Sequence, residues 1–292
     1  MNITGIIAEY NPFHNGHAYQ LMRAREETDA DYLIIVMSGN FMQRGTPALL
    51  DKYTRAKMAL IQGADLVLEL PPIWSSSSAE YFAEAGISLL TQLGCVSALC
   101  YGCETPDSDL FGRIAALLRS EPPQYRLLLS NYLKKGIHYA LAREKAILDL
   151  MPDLNASDLQ NLLQNPNNIL AIEYQKALLI QNQSLPAQNL QTTIKIHPIL
   201  RQGAGYHSKS ISESFSSAAA IRRFLTKNEY SQSSPCSLKK SLTQAMPDSS
   251  LHLLTDYLQT CPLLYEDDCS QMLHYCLIKG AVSGFADYAD CS

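Results

Sequence analysis

The sequence has no apolar run that approaches the roughly 20 residues needed to cross a lipid bilayer. It also has no excess of basic residues, because 23 Lys and Arg stand against 28 Asp and Glu, for a net charge of -5. We therefore expect no membrane segment, and any nucleic-acid contact must use a local patch of positive charge. No secretory leader precedes the first apolar strand, so we expect a cytoplasmic protein with reduced thiols.

The eight cysteines lack the spacing of a secreted disulfide framework. Cys100 and Cys103 have the two-residue spacing that can begin a zinc site, but no second pair of Cys or His lies nearby in the sequence. Ordinary cysteines at the end of a strand are the favoured interpretation, and no metal ligand is predicted.

Apolar segments of strand length alternate with segments of helical period through the first hundred residues. The predicted strands are 3–8, 32–37, 66–70 and 97–101, and the predicted helices are 18–28, 52–62 and 79–93. Repeated βαβ units with nearly continuous apolar strands indicate an α/β fold whose parallel sheet is covered on both faces. Ligands of such sheets bind beyond the carboxyl ends of the strands.

The remaining sequence is mostly helical in pattern. Residues 106–185 have breaks at 121–123 and 164–168, which predicts a helical insertion or long crossover before the sheet resumes near 192–197. A Ser-rich segment at 231–235 is typical of a linker to further helices. We expect one large α/β domain over residues 1–228 and a helical C-terminal region over residues 229–292.

Two histidines flank a glycine where the first strand passes into the first helix. Helix N-termini stabilise anions through unpaired N–H groups and the helix dipole, and Gly16 lets a ligand approach the backbone. His14 and His17 are three residues apart, so both rings can donate to one phosphoryl group. The alternative is a pair of surface histidines beside a turn; the strand before and the helix after favour the phosphate site.

Residues 14–17, His-Asn-Gly-His, resemble the His-x-Gly-His signature of the nucleotidyltransferase superfamily. The longer run 7–17 is similar to the bacterial tRNA(Met) cytidine acetate ligases, which are also matched, in the same order, by residues 38–45, 63–71, 166–170 and 203–207. The resemblance implies a Rossmann-like sheet of the nucleotidyltransferase type with an ATP-binding catalytic domain. It further implies a ligase that activates acetate as acetyl-adenylate and acetylates N4 of the wobble cytidine of elongator tRNA(Met).

The resemblance also implies the roles of individual residues. His14 and His17 would be catalytic, and Ser216, Ser217 and Arg222 would bind the leaving phosphates, with Arg222 preferred to Arg223 because it directly follows an apolar residue. The implied ATP-binding residues are Ile7, Ala8, Glu9, Tyr10, Asn11, Pro12, Phe13, His14, Asn15, Gly16, His17, Ala18, Tyr19, Gln20, Gly102, Asn168, Arg201, Gln202, Ser216, Ser217 and Arg222. For Asn168, a helix cap and a ligand contact both remain open.

The expected partners are ATP, acetate and elongator tRNA(Met), with a homodimer left open. Mg²⁺ would accompany the phosphates, although the sequence shows no carboxylate cluster dedicated to it. Lys52 and Arg55 lie three apart on the helix after Gly45 and are expected to form an electropositive rim for tRNA, the alternative being a solvated helix face.

Family members continue beyond the length of this chain with a further basic helical segment, so we expect adenylate formation with poor tRNA acetylation. Two other functions remain open. One is an adenylyltransferase that acts on a phosphorylated small metabolite, and the other is a nucleotide-binding module without turnover.

Overall fold

The computed structural model describes residues 1–184, 194–202, 217–226 and 241–283, and it confirms the predicted α/β architecture. Five parallel strands are arranged in the order β3-β2-β1-β4-β5. The strands are β1 (Ile3–Ala8), β2 (Tyr32–Ser38), β3 (Leu66–Leu70), β4 (Ala98–Cys103) and β5 (Lys195–Leu200). The direction of winding reverses between β1 and β4, so these two strands define the switch point at which such sheets bind ligands.

Helices follow the strands and also fill the predicted insertion. The first four are α1 (Asn15–Glu27), α2 (Lys52–Ile61), α3 (Pro72–Ser75) and α4 (Ala79–Gln92). Between β4 and β5 lie α5 (Ser108–Ser120), α6 (Pro123–Lys134), α7 (Tyr139–Leu150), α8 (Ala156–Gln164) and α9 (Pro166–Ser184). The later described helices are α10 (Ala218–Thr226), α11 (Asp248–Thr260) and α12 (Ser270–Ser283), with a 3₁₀ turn over Glu266–Cys269 before α12.

The sheet separates two hydrophobic cores, because successive residues of a strand face opposite sides. On β4, Leu99, Tyr101 and Cys103 enter the core beneath α4, α5 and α9, whereas Cys100 enters the core beneath α1 and α2. Burial raises the pKa of each of the two cysteine thiols to about 12. The sequence pair Cys100 and Cys103 is therefore divided between the two faces, and the described residues contain no cluster of three or more potential metal ligands.

Most boundaries lie within two residues of the sequence prediction, and three elements differ more. Helix α1 begins at Asn15 rather than residue 18, because His14 caps it and places the whole histidine motif in its first turn. Strand β5 runs to Leu200 because its pairing with β4 continues as far as Cys103. Helix α9 begins at Pro166 and is longer than expected. The predicted linker 231–235 lies outside the described residues.

Residues 241–263 of the C-terminal region pack on the α1 and α2 side of the sheet. Leu242, Met246 and Leu254 are buried in the core that also contains residues of α1 and α2. The backbone N–H of Asn15 donates to the carbonyl of Ala245 at 3.0 Å. Residues 241–263 therefore support the start of α1 directly.

Within the described ranges, every helix is too short or too polar to span a bilayer.

Candidate active site

The two histidines of the motif are fixed by the backbone at the start of α1. His14 is the N-cap residue, and its Nδ1 accepts a hydrogen bond from the N–H of Gly16 at 3.0 Å. The Nδ1 atom of His17 accepts from the N–H of His14 at 3.3 Å, which completes a reciprocal capping box. A neutral imidazole has one acceptor and one donor nitrogen, so these contacts assign the proton of both rings to Nε2.

The surroundings keep both rings uncharged. The rings of His14 and His17 stack with centroids 3.7 Å apart, and the ring of Tyr10 packs edge-on against His17 at 4.8 Å. Burial, together with the positive charges of Arg201 and Arg222, lowers the pKa of His14 to about 3. Burial and the neighbouring His14 hold the pKa of His17 well below its ordinary value. At neutral pH the motif therefore offers two N–H donors without a net charge.

A cleft of about 240 Å³ opens at the carboxyl ends of the strands beside these histidines. Ten of the predicted ATP-binding residues line it: Ile7, Ala8, Glu9, Tyr10, Asn11, His17, Gln20, Gly102, Arg201 and Arg222. A smaller adjoining cavity of about 30 Å³ shares His17, Gln20, Gly102 and Arg201 with the cleft. That cavity adds five further predicted residues: His14, Gly16, Tyr19, Gln202 and Ser217.

Two of the three arginines that line the cleft, Arg201 and Arg222, bring positive charge close to His14. Arg222 donates from Nη1 to the carbonyl of Asn11 at 2.6 Å and lines the cleft, whereas Arg223 is exposed elsewhere on α10. Arg201 follows β5, and its Nε lies 3.9 Å from Oε1 of Glu104. These two guanidinium groups and the N-terminus of α1 converge on one space, which favours a polyanionic ligand. The geometry supports the preference for Arg222 over Arg223.

Some predicted residues lie behind the cleft rather than in its wall. Phe13 is fully buried in the core, and Asn15 donates from its side chain to the carbonyl of Gln244 at 2.8 Å. Pro12 and Ala18 are likewise not among the lining residues of either cavity. Ser216 and the block 203–207 lie outside the described residues.

Asn168 is neither the cap of its helix nor an exposed ligand contact. Its side chain is fully buried, and its Oδ1 accepts from the N–H groups of Glu104 and Thr105 at 3.0 and 3.2 Å. Asn168 therefore holds the backbone of the loop after β4 in place from its buried side. Asn167 lines the cleft instead and donates to Oε1 of Glu104 at 2.6 Å.

The cleft also contains residues that the sequence prediction did not assign. Gln43 and Arg44 line it from the loop after β2, and the N–H of Gln43 donates to Oε1 of Glu9 at 2.8 Å. The resemblance of residues 38–45 to the ligase family already indicates, in the sequence, that this loop has a role in the site. Phe82, Tyr101 and Tyr174 also line the cleft, but in the sequence they cannot be distinguished from core aromatics.

The predicted tRNA-binding rim is wrong for Arg55. This residue is fully buried, and its guanidinium donates to the carbonyls of Leu50, Glu9, Ser38 and Gly39, so it cannot contact a macromolecule. The three-residue spacing placed Arg55 near the exposed face of α2, but the loops before the helix fold over it. Lys52 is partly exposed and pairs with Glu69 at 2.6 Å; its role in tRNA binding stays a prediction.

The low pKa of His14 predicts a loss of stability in acid. Below about pH 6.5 the unfolded chain binds a proton at this histidine that the folded chain does not bind until about pH 3. The free energy of unfolding should therefore fall by about 1.4 kcal/mol per pH unit through that range, and His17 adds a change of the same sign. Urea unfolding at pH 7 and pH 5 measures the change.

The variant His14→Asn keeps a capping acceptor but removes this titration, so its stability should fall less between the two pH values. His138→Asn is the matched control, because His138 also caps a helix but is exposed. A His14→Asn variant with the parent's pH dependence would contradict the prediction.

The sequence of this chain is similar to a known protein family and to individual proteins. A model of the HIGH nucleotidyl transferase family matches residues 1–292. The tRNA(Met) cytidine acetate ligase of Clostridium tetani is 42% identical over 270 residues, covering 92% of this chain and 63% of the relative. The ligase of the same name from Clostridium novyi is 39% identical over 275 residues, covering 94% of this chain and 64% of the relative.

Solved structures have the same fold. Thermotoga maritima TmcAL bound with alpha-thio ATP is 33% identical, with a TM-score of 0.79 over 92% of this chain and 59% of that chain. The apo form of TmcAL is also 33% identical, with a TM-score of 0.82 over 92% of this chain and 60% of the other. This chain therefore spans less than two thirds of the length of each of these relatives.

Proposed function

The chain belongs to the HIGH nucleotidyl transferase family, and on that premise we propose that it is an ATP-dependent ligase that activates acetate as acetyl-adenylate. The acetyl group then passes to N4 of the wobble cytidine of elongator tRNA(Met). The names of the two clostridial relatives and the ATP analogue bound to TmcAL support this assignment. The cleft at the switch point of the sheet supports it independently.

The observation that carries the proposal is the pair of stacked, neutral imidazoles at the start of α1. Both Nδ1 atoms are occupied by backbone N–H groups, so both Nε2–H groups remain as donors for a ligand. Donors that are fixed before reaction cost no reorganisation when negative charge develops in the transition state. This arrangement suits attack on a phosphate, because neither histidine needs to act as a nucleophile or base.

The first step joins a carboxylate oxygen of acetate to the α-phosphorus of ATP and breaks the bond to the bridging oxygen, which leaves with pyrophosphate. His14 and His17 would donate to the reacting phosphate, while Arg201 and Arg222 would balance the charge of the leaving group. In the second step the N4 amine of cytidine attacks the acetyl carbonyl. AMP leaves, and the amine loses a proton.

The remaining partners follow from the same assignment. Mg²⁺ would be held by the phosphates of ATP together with water, which is the usual arrangement where a protein supplies few carboxylates. A tRNA substrate implies a cytoplasmic setting.

The assignment predicts acetate-dependent exchange of labelled pyrophosphate into ATP. Exchange should require acetate, because only the acyl-adenylate step is reversed by pyrophosphate. A second incubation with ATP, labelled acetate and total tRNA, followed by digestion to nucleosides, should give N4-acetylcytidine.

Three outcomes separate the alternatives. Exchange that occurs without acetate but with a phosphorylated metabolite would support an adenylyltransferase instead. ATP binding without exchange, whichever carboxylic acid is added, would support a nucleotide-binding module without turnover. Exchange with acetate alone supports the ligase.

A further inference from the structure

The helices α6 and α7 form the part of the insertion with the strongest positive charge. Residues 123–150, which span both helices, contain five basic and two acidic side chains, in a chain whose net charge is -5. Two of the basic groups are in ion pairs, Arg126 with Glu121 and Arg143 with Glu173. Arg126, Lys134 and Lys135 are exposed on α6 and in the turn after it. A local patch of this kind is what an acidic protein needs in order to bind a polyanion.

The two helices bring their basic groups to one place. The ammonium groups of Lys135 and Lys145 lie 5.6 and 5.9 Å from the centre of the Tyr132 ring, one from the turn and one from α7. The Tyr132 hydroxyl donates to Asp149 at 2.7 Å, which fixes the ring between them. The positive charge is therefore organised around an aromatic side chain rather than spread along the sequence.

Apart from the cleft and its small adjoining cavity, a second large cavity of about 410 Å³ is lined by the start of α7, which directly follows the turn that contains Lys135. Its floor is apolar and includes Ile169 and Ile172 of α9. Tyr139, which is 58% exposed, lies at its rim and can stack on a planar ligand. Glu144 and Gln160 add a carboxylate and an amide to the wall. An apolar floor, a stacking ring and groups that bind exocyclic amines are the features that recognise an unpaired base.

The position of this cavity relates it to the candidate active site. The first turns of α9 form a wall of both spaces: Asn167 and Leu170 line the cleft, and Ile169 and Ile172 line the second cavity. Because these pairs lie on opposite faces of α9, a nucleotide in the second cavity would be separated from the cleft by about one helix diameter, roughly 10–12 Å.

We propose that the second cavity and the basic groups of α6 and α7 form an RNA-binding site for an unpaired nucleotide of the tRNA substrate. Tyr139 stacks on the base, Glu144 accepts from its amino group, and Lys134 and Lys135 neutralise the adjoining phosphates. The proposal rests on the proposed function for the identity of the RNA, but not for the chemistry of binding.

The test measures binding of a synthetic RNA hairpin with a cytidine-containing loop by fluorescence anisotropy at several salt concentrations. Lys134→Glu should weaken binding about tenfold and reduce the salt slope by about one phosphate contact. Tyr139→Ala should weaken binding about tenfold with the parent's salt slope, because stacking is not a charge contact. A fully paired RNA duplex should bind more weakly and be insensitive to Tyr139→Ala.

Lys195→Glu is the matched control, since Lys195 is exposed at the amino end of β5, away from the carboxyl ends of the strands. It should bind the hairpin as the parent does. Parent-like binding by both test variants, an equal loss in Lys195→Glu, or no binding of the hairpin by the parent would overturn the proposal. Thermal melts identify a misfolded variant, and Tyr139→Phe, which keeps the ring, should retain binding.

The pyrophosphate exchange assay is independent of this measurement. Absence of exchange with hairpin binding that depends on Lys134 and Tyr139 would reject the ligase and retain the RNA site. Exchange in the parent, with hairpin binding unaffected by Lys134→Glu and Tyr139→Ala, would retain the ligase and reject the RNA site.

Discussion

His17→Asn should reduce acetate-dependent pyrophosphate exchange by about 10²- to 10³-fold, the usual effect of removing one fixed donor to developing charge. Asparagine places its amide oxygen near the position of Nδ1, so it can still accept the hydrogen bond from the N–H of His14. It has no group at the position of Nε2. The variant therefore removes donation to the phosphate while retaining the capping contact. We expect the same reduction for His14→Asn, whose amide can still accept from Gly16.

His14→Ala and His17→Ala serve as the comparison, because alanine removes both the donor and the cap. Loss of an N-cap typically costs about 0.5–2 kcal/mol, so the alanine variants should unfold more easily than the asparagine variants at pH 7. All four should have similarly low exchange rates. An asparagine variant with the parent's rate would reject the assignment of Nε2–H as the donor.

The parts of the fold that were predictable from sequence are those fixed by local pattern. Strands β1 and β3 have the predicted ends because each is a short apolar run bounded by polar or turn residues, although only β1 is buried on both faces and β3 is a half-buried edge strand. The start of α1 was missed because a histidine is an unusual N-cap. Only the reciprocal contacts of His14 and His17 show that the helix includes the motif.

The site was predictable where its residues are adjacent in the chain and less so where the fold assembles it. Asn167 and Asn168 are adjacent in α9, and the rotation of the helix about its axis places Asn167 in the cleft and Asn168 in the interior. An error of one residue in the start of the helix would exchange the two environments, and helix starts inferred from sequence are not accurate to one residue. Phe82, Tyr101 and Tyr174 come from α4, β4 and α9, and only tertiary packing brings their rings to one wall. Spacing alone also could not show that loops bury Arg55.

Arg55→Met should destabilise the protein by about 3–5 kcal/mol, since removal of the guanidinium leaves several buried backbone carbonyls without a donor, at about 1–3 kcal/mol each. The guanidinium donates to the carbonyl of Glu9 at 2.6 Å and to that of Ser38 at 3.1 Å, thereby joining the loops after β1 and β2. Native stabilities are only about 5–15 kcal/mol, so the loss is a large share of the total. Urea unfolding at pH 7 measures it.

The two interpretations of Arg55, as a buried residue and as a residue of the surface rim, predict opposite results for Arg55→Met. If Arg55 acted as a rim residue, Arg55→Met would weaken tRNA binding and leave the urea midpoint unchanged. As a buried connection between loops it should lower the midpoint and weaken ATP binding together, because Glu9 forms part of the cleft wall. Arg55→Lys should recover little, since an ammonium group cannot reproduce the planar fork that reaches several carbonyls at once. Lys52→Met, on the same helix and in a partly exposed ion pair, should change stability by less than about 1 kcal/mol.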